Sequence, residues 1–429
     1  MTTSMWIGVI GFIILILLIF SRIWIGFAMI GVGFIGLFAL KGFGFATGVL
    51  GSEPFTQATA YELICMPTFC IMGSVIVDCG MSDKLYNAAK AFIGHIRGGL
   101  GMATVSACGV FAAICGNSQI TAMTLGKVAF PEMVKHGYDE SIAAGGIAAG
   151  GGIGIMIPPS VGFILYGMLT EQSIGKLFIC GLIPGILQVV MFCAVFYIIA
   201  RVRPEKAPRS EKTTMKQKLN SLKGVWSTLI LIIIMLGGIY GGFYTATEAG
   251  AIGAIGSIVI AFATKSITWK RLWIDVVEGA RMSAAVLILL IGAKVFLRFI
   301  TASGLATYLT NFIIGLDVSK YVILFFVFIL YLILGAVFDI MAGLMLTIPF
   351  LFPIMTTIGF DPFWFGVFVV AMMELGEITP PIGLTIFILS DAVKLPVAKV
   401  YKGVVPFICA SFLFILILCV FPKIALLLI

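Results

Sequence analysis

Long apolar runs separated by short polar or basic joints make up most of this chain. Runs at about 5–20, 23–40, 62–80, 141–170 and 178–200 can each cross a bilayer, whose core takes about 20 helical residues. Runs at about 225–243, 249–264, 282–300, 362–392 and 403–421 repeat this in the second half. Two further stretches, 99–134 and 321–358, are apolar with a small polar or acidic centre. Each reads as a re-entrant helical hairpin that enters and leaves on one side. Residues 82–97 and 266–281 mix apolar and basic positions and suit helices lying along the membrane interface.

The punctuation between runs is duplicated. A shift of 222 residues carries Pro131 onto Pro353, Gly137 onto Gly359 and Asp139 onto Asp361. The same shift carries Gly154 onto Gly376, Pro158–Pro159 onto Pro380–Pro381, Gly181 onto Gly403 and Pro184 onto Pro406. Paired Gly/Pro interruptions in two halves of a membrane protein point to a transporter's binding site. The expected fold is an all-α polytopic membrane protein of two inverted-topology repeats, each of about five spans plus one hairpin.

Composition agrees: 61% of residues are hydrophobic, 11% are charged, and mean hydropathy is +1.18. The net charge of +8 does not indicate nucleic acid, because the basic residues sit in short loops beside apolar runs. Charge fixes the orientation instead. The loop from Arg201 to Lys223 holds eight Lys/Arg against Glu205 and Glu211, which places it in the cytoplasm. Counting outward with both hairpins re-entrant puts twenty Lys/Arg on that side and only Lys41, Lys176, Arg298, Lys320 and Lys423 on the other. Lys127 and Lys294 fall within the membrane. Both termini are then periplasmic, and residues 5–20 read as a retained span rather than a cleaved leader. The nine cysteines read as apolar packing residues, and His95 and His136 as membrane-edge surface residues. The glycines at 145–146, 150–152 and 237–242 are expected to let helices approach closely.

Candidate chemistry sits at the interruptions. Hairpin one is expected to turn at Cys115-Gly116-Asn117-Ser118-Gln119, with Thr121 and Thr124 following at helical spacing. Backbone that reverses inside the bilayer must be buried in protein or line a wet cavity. Asn117 or Ser118 can cap the returning helix. The run Gly154-Ile155-Met156-Ile157-Pro158-Pro159-Ser160 should unwind, because two prolines remove two donors and disfavour helix before them. Freed carbonyls there suit Na⁺, and the next half-helix turns its positive end toward an anion. Hairpin two is expected to turn at Phe338-Asp339-Ile340-Met341-Ala342, with its partner break at Gly376-Glu377-Ile378-Thr379-Pro380-Pro381. Asp339 takes the slot of Asn117; an acid at that depth is costly unless paired or ion-bound. Glu374 and Glu377 are equally deep, and either could pair with a Lys or Arg. Lys294 and Arg298 share a helix face and suit internal charge balance. Ser74 is a mid-membrane hydroxyl that could complete a site near Gly116 and Pro158; Gly292-Ala293 reads as its counterpart. No phosphate-binding loop, metal-site cluster or catalytic triad is present, so neither ATP hydrolysis nor enzymatic activity is expected, and no cofactor.

The Gly116-Asn117-Ser118 turn, the Lys127-to-Pro131 run, the Gly145–Gly154 helix, the Pro158-Pro159-Ser160 break and Glu377-to-Gly383 (EITPPIG) resemble the large membrane subunit of tripartite ATP-independent periplasmic transporters. The likeness covers essentially the whole chain. It implies an elevator-type transporter of a bacterial inner membrane, importing a small organic acid of the sialic acid or C4-dicarboxylate type. It also implies Na⁺ as the coupling ion, a periplasmic substrate-binding protein, and a small four-helix membrane subunit as a separate chain. Membrane lipid surrounds the assembly. The Na⁺ sites it implies are Gly116–Gln119 with Pro158, and Asp339 with Thr379–Pro380, with Ser74 and Met341 as further candidates. Asn117, Ser118, Thr121, Ser160, Asp339 and Glu377 are the candidate substrate contacts. Residues 99–200 and 320–429 are expected to form a mobile transport domain and residues 1–98 and 225–319 a scaffold, joined by a cytoplasmic linker at 201–224. A stand-alone Na⁺/anion symporter is the nearest alternative; a channel or a membrane enzyme is further off.

Overall fold

The computed structural model describes residues 2–210, 213–315 and 318–429. Glu211 and Lys212 of the basic loop lie outside the described residues. The described residues form helices and their joints, with no strand.

The first half runs α1 (Thr3–Phe20), α2 (Ile25–Lys41), α3 (Phe43–Ala58), α4 (Cys65–Asp78) and α5 (Met81–Ile93). The first hairpin is α6 (Gly99–Cys115) and α7 (Ser118–Lys135). The first broken helix is α8 (Glu140–Gly152) and α9 (Val161–Thr170), followed by α10 (Ile174–Val202). A short α11 (Met215–Leu222) lies in the linker. The second half runs α12 (Trp226–Tyr240), α13 (Ala246–Ala263), α14 (Trp269–Ser303) and α15 (Leu305–Gly315). Its hairpin is α16 (Lys320–Val337) and α17 (Ile340–Thr357), its broken helix α18 (Pro362–Glu377) and α19 (Leu384–Val393). Then come α20 (Val397–Val420) and a terminal turn, α21 (Lys423–Leu426). Eight of the described helices are long and apolar enough to cross a membrane singly.

Several helix starts recur at the 222-residue offset. Ser118 opens α7 and Ile340 opens α17, again 222 residues apart. Asp139 and Asp361 cap α8 and α18, each accepting two amide hydrogen bonds. Burial raises the Asp139 carboxyl, but the Ile142 amide, Lys206 and the Ser141 amide outweigh it and leave it below the usual carboxylate range. Packing is exchanged between halves: α2 lies on α14, and their counterparts α13 and α4 lie on each other. Glycines bring two helices of different halves together. A Cβ on Gly145 would come 2.1 Å from the Gly403 carbonyl carbon, so α8 and α20 touch backbone to backbone.

Four expectations are corrected. The interfacial helix expected at 266–281 is not separate; α14 continues through it for 35 residues, because nothing between Arg281 and Ala284 breaks a helix. Residues 43–58, which the hydrophobic pattern left unassigned amid four Gly/Pro positions, form α3. The counterpart of Ser74 at the constant offset is the buried Phe296, not Gly292-Ala293. Of the 237–242 glycines, Gly238 packs against Tyr244, but Gly237 and Gly242 face open space. All nine cysteines are free, and Cys409 is exposed.

Candidate functional site

Both hairpins turn where the sequence breaks. Gly116 ends α6 in the left-handed conformation at φ +60°. Asn117 caps α7, its Oδ1 accepting from the amides of Gln119 (3.0 Å) and Ile120 (3.1 Å). Its carbonyl accepts from Thr121 Oγ1 at 2.7 Å. At the second tip, Asp339 caps α17, with Oδ1 accepting from Ala342 N at 3.1 Å. Among the described residues no Lys, Arg or His forms an ion pair with Asp339. Met341 and Gln119 are half-buried in the first turns behind the caps.

Each tip is clamped to the break of its own repeat. The Val161 amide donates to the Gly116 carbonyl (3.2 Å), and the Gly383 amide to the Ala336 carbonyl (3.1 Å). A Cβ on Gly116 would lie 2.4 Å from the Pro159 carbonyl oxygen, and one on Gly154 2.8 Å from both the Asn117 carbonyl and Thr121 Oγ1. Gly376 backs on Gly335 in the second repeat. The Pro158–Pro159 and Pro380–Pro381 peptides are both cis. Ser160 caps α9 and donates back to the Ile155 carbonyl. Thr379 Oγ1 donates to the Leu375 carbonyl at 2.6 Å. The two breaks differ in setting: Pro158, Pro159 and Ser160 are buried, while Pro380, Pro381 and Ile382 are exposed.

Each tip also reaches the broken helix of the other repeat. Ser118 Oγ donates to Glu377 Oε2 at 2.6 Å, and Thr385 Oγ1 donates to the same oxygen at 3.1 Å. Ile340 packs where a Cβ on Gly162 would sit, at 2.7 Å. All four interruptions therefore meet in one place, and Asp339 lies within charge–charge range of Glu377.

The expected Lys or Arg partners of the deep acids are absent among the described residues. Glu377 bonds to Ser118 and Thr385, and Glu374 accepts from Gln188 Nε2 at 2.6 Å. Lys294 and Arg298 balance other acids: Lys294 Nζ is 3.7 Å from Glu171, and Arg298 Nε is 3.0 Å from the buried Glu53.

A cavity of about 210 Å³ opens beside the first tip. Asn117, Thr124 and Ser74 are among its lining residues, so Ser74 and the tip share one cavity. Asp78, Arg271, Asp275 and Glu278 line it as well, and sequence reasoning missed all four. Arg271 is tied to Asp78 through Nε and Nη2. These residues looked like ordinary interfacial charge. Gln188, a lone amide inside an apolar run, was the one available signal for the Glu374 partner.

Comparison with known proteins matches residues 12–424 to the family model described as "Tripartite ATP-independent periplasmic transporter, DctM component". A C4-dicarboxylate TRAP transporter large permease protein of Pseudomonas aeruginosa is 33% identical over 379 residues, covering 88% of each chain. A sialic acid TRAP transporter large permease protein of Vibrio cholerae is 29% identical, covering 94% of this chain and 96% of its own. The Alcanivorax borkumensis YdaH transporter structure superposes with a TM-score of 0.69 over 91% of both chains at 14% identity, which is likeness of fold.

Proposed function

This chain belongs to the DctM-component family of tripartite ATP-independent periplasmic transporters, and on that premise we propose that it is the subunit that carries a small organic acid across a bacterial inner membrane, driven by Na⁺. As a multi-pass membrane transport protein it is not an enzyme. The observation that carries the reading is the convergence of both hairpin tips and both breaks, with Ser118 bonded to Glu377 across the repeats.

Residues 99–200 and 320–429 act as the transport domain, and 1–98 and 225–319 as the scaffold. The two halves have inverted topology, with both termini periplasmic. One Na⁺ site uses Gly116–Gln119 with Pro158, and a second uses Asp339 with Thr379 and Pro380. Both tips are capped helix starts, whose positive ends attract an acid's carboxylate. Na⁺ neutralises Asp339 and orders the tips, so ion and acid bind with positive linkage. Asn117, Ser118, Thr121 and Ser160 then supply hydrogen bonds to the acid. Its chemistry is of the C4-dicarboxylate or sialic acid kind that the names of the relatives carry. Arg271 and Glu278, near the start of α14, also line the cavity beside the first tip, and the basic loop puts that part of the chain on the cytoplasmic side in this reading, which supports an inward-facing state.

The test is purification in mild detergent from the native host. A small membrane subunit is expected to co-purify in stoichiometric amount. The ligand of the periplasmic binding protein identified with it is then offered to proteoliposomes holding the membrane complex. Uptake should need an inward Na⁺ gradient and the binding protein. Uptake by the chain alone would make it a self-sufficient symporter, and uptake indifferent to Na⁺ would remove the coupling.

A further inference from the structure

We propose that Glu374 is a proton-binding site: it holds one proton, shared with Gln188 in a buried, neutral acid–amide pair. The site is distinct from the two tip-and-break sites and is not needed for them.

The argument starts from which atoms are satisfied. Glu374 on α18 and Gln188 on α10 are each 1% exposed. Gln188 Nε2 donates to Glu374 Oε1 at 2.6 Å. Glu374 Oε2 and Gln188 Oε1 have no hydrogen-bond partner among the described residues. With the acid ionised, both atoms are acceptors only and cannot satisfy each other. Two unmet buried acceptors, one charged, are a heavy cost. A single proton on Glu374 Oε2 makes it a donor, and the acceptor left on the facing amide is Gln188 Oε1. A carboxylic acid and a carboxamide then close two antiparallel hydrogen bonds once side-chain rotation brings Oε2 to Oε1, and both needs are met. Turning the amide over changes nothing, since an amide oxygen against the carboxylate again requires the acid to carry hydrogen.

Charge leads to the same place. Among the described residues no Lys, Arg or His forms an ion pair with Glu374. The ionisable group that acts on it is Glu377, one turn on and 0% exposed, which repels an anion. Asp339, also an acid, acts on Glu377. Several titratable groups on the helices around α18 are engaged elsewhere: Lys399 with Glu140, Tyr401 with the Pro381 and Ile382 carbonyls, Tyr331 with Thr347, and Tyr166 with the Pro362 carbonyl. Lys320 sits over the rings of Tyr321 and Phe360.

Space favours a proton over a metal ion. Gly152 backs directly on the carboxyl: a Cβ there would lie 2.7 Å from Glu374 Cγ and 2.9 Å from Oε1. A hard cation needs a shell of several oxygens, whereas this pair has two to spare.

The test is infrared spectroscopy of the purified full-length chain in lipid nanodiscs, in H₂O and D₂O. Wild type minus Glu374→Gln should show the carbonyl stretch of a buried carboxylic acid, shifted in D₂O and unchanged from mildly acid to mildly alkaline pH. Glu374→Gln should keep the wild-type melting temperature and its response to Na⁺, since an amide replaces the neutral acid. A carboxylate band in place of the acid band would overturn the proposal. So would loss of Na⁺-induced thermal stabilisation in Glu374→Gln, which would mark a metal site. Should Glu374→Gln not fold, Gln188→Met reads the same band. Its frequency should rise once the amide is gone, and an unchanged frequency would overturn the pairing. None of these readouts depends on transport, so failure here is separable from failure of the Na⁺-coupled reading.

Discussion

Ser118 at the tip of the first hairpin and Glu377 at the second broken helix are 259 residues apart, and a 2.6 Å hydrogen bond joins them. Their counterparts at the 222-residue offset are Ile340 and Ile155, both apolar. The repeats therefore share a backbone plan but not a chemistry: one crossing of tip and break is polar, and its mirror is greasy. Ser118→Ala strips one of two donors from a buried carboxyl oxygen. Losing a bond of this kind costs about 1–3 kcal/mol, so the variant should melt lower in detergent and lose most uptake. Wild-type melting together with wild-type uptake would show that the bond links nothing of consequence.

Gly116→Ala tests how tightly the first tip is held. Its φ of +60° alone costs an alanine about 1–2 kcal/mol. The added Cβ would also press on the Pro159 carbonyl at 2.4 Å. Gly80 is the natural control, with φ +64° and open space around its Cβ. Gly80→Ala should show the strain alone and retain uptake, while Gly116→Ala should lose uptake at least tenfold. Equal behaviour of the two variants would mean that the tip does not need its contact with the break.

At the second tip, charge and capping are separable. Asp339 accepts the Ala342 amide, a role that asparagine also fills. Asp339→Asn should therefore fold like wild type yet need much higher Na⁺ for uptake, while Asp339→Ala should lose both the cap, about 1 kcal/mol, and the uptake. The reading to watch is the Na⁺ concentration for half-maximal uptake. If it stays unchanged in Asp339→Asn, Na⁺ does not bind at Asp339.

Local chemistry explains what was legible in advance. The turns at Gly116-Asn117 and Phe338-Asp339 and the breaks at Pro158 and Pro380 stand where the sequence puts them, because a left-handed glycine, a capping side chain and a proline pair act on their own neighbours. Partners across the fold were not legible. A Lys or Arg was the partner considered for Glu374, which instead meets Gln188, 186 residues away; Glu377 meets Ser118. Hydrophobic periodicity says that an acid is deep, not what it faces. The pattern also misplaced boundaries where breakers were ambiguous. Glycines and Pro54 hid α3, and basic residues at the start of α14 looked like a separate element although nothing there interrupts the helix.

Lys294 on α14 and Glu171 at the end of α9 pair across the boundary proposed between scaffold and transport domain. Their 3.7 Å pair is lopsided: the lysine side chain is 15% exposed and the glutamate 86%. A pair so open to water contributes about 0–1 kcal/mol, so Glu171→Gln should leave the melting temperature almost unchanged. Its importance is geometric. If 99–200 slides against 225–319, this contact breaks and re-forms in every cycle. Cysteines at 171 and 294, placed in a background lacking the native nine and bridged by a bifunctional thiol reagent, should therefore arrest uptake, and reduction should restore it. Cross-linked protein that transports at the uncross-linked rate would mean that these two segments stay together while the acid crosses, and the moving boundary would have to lie elsewhere than along α14.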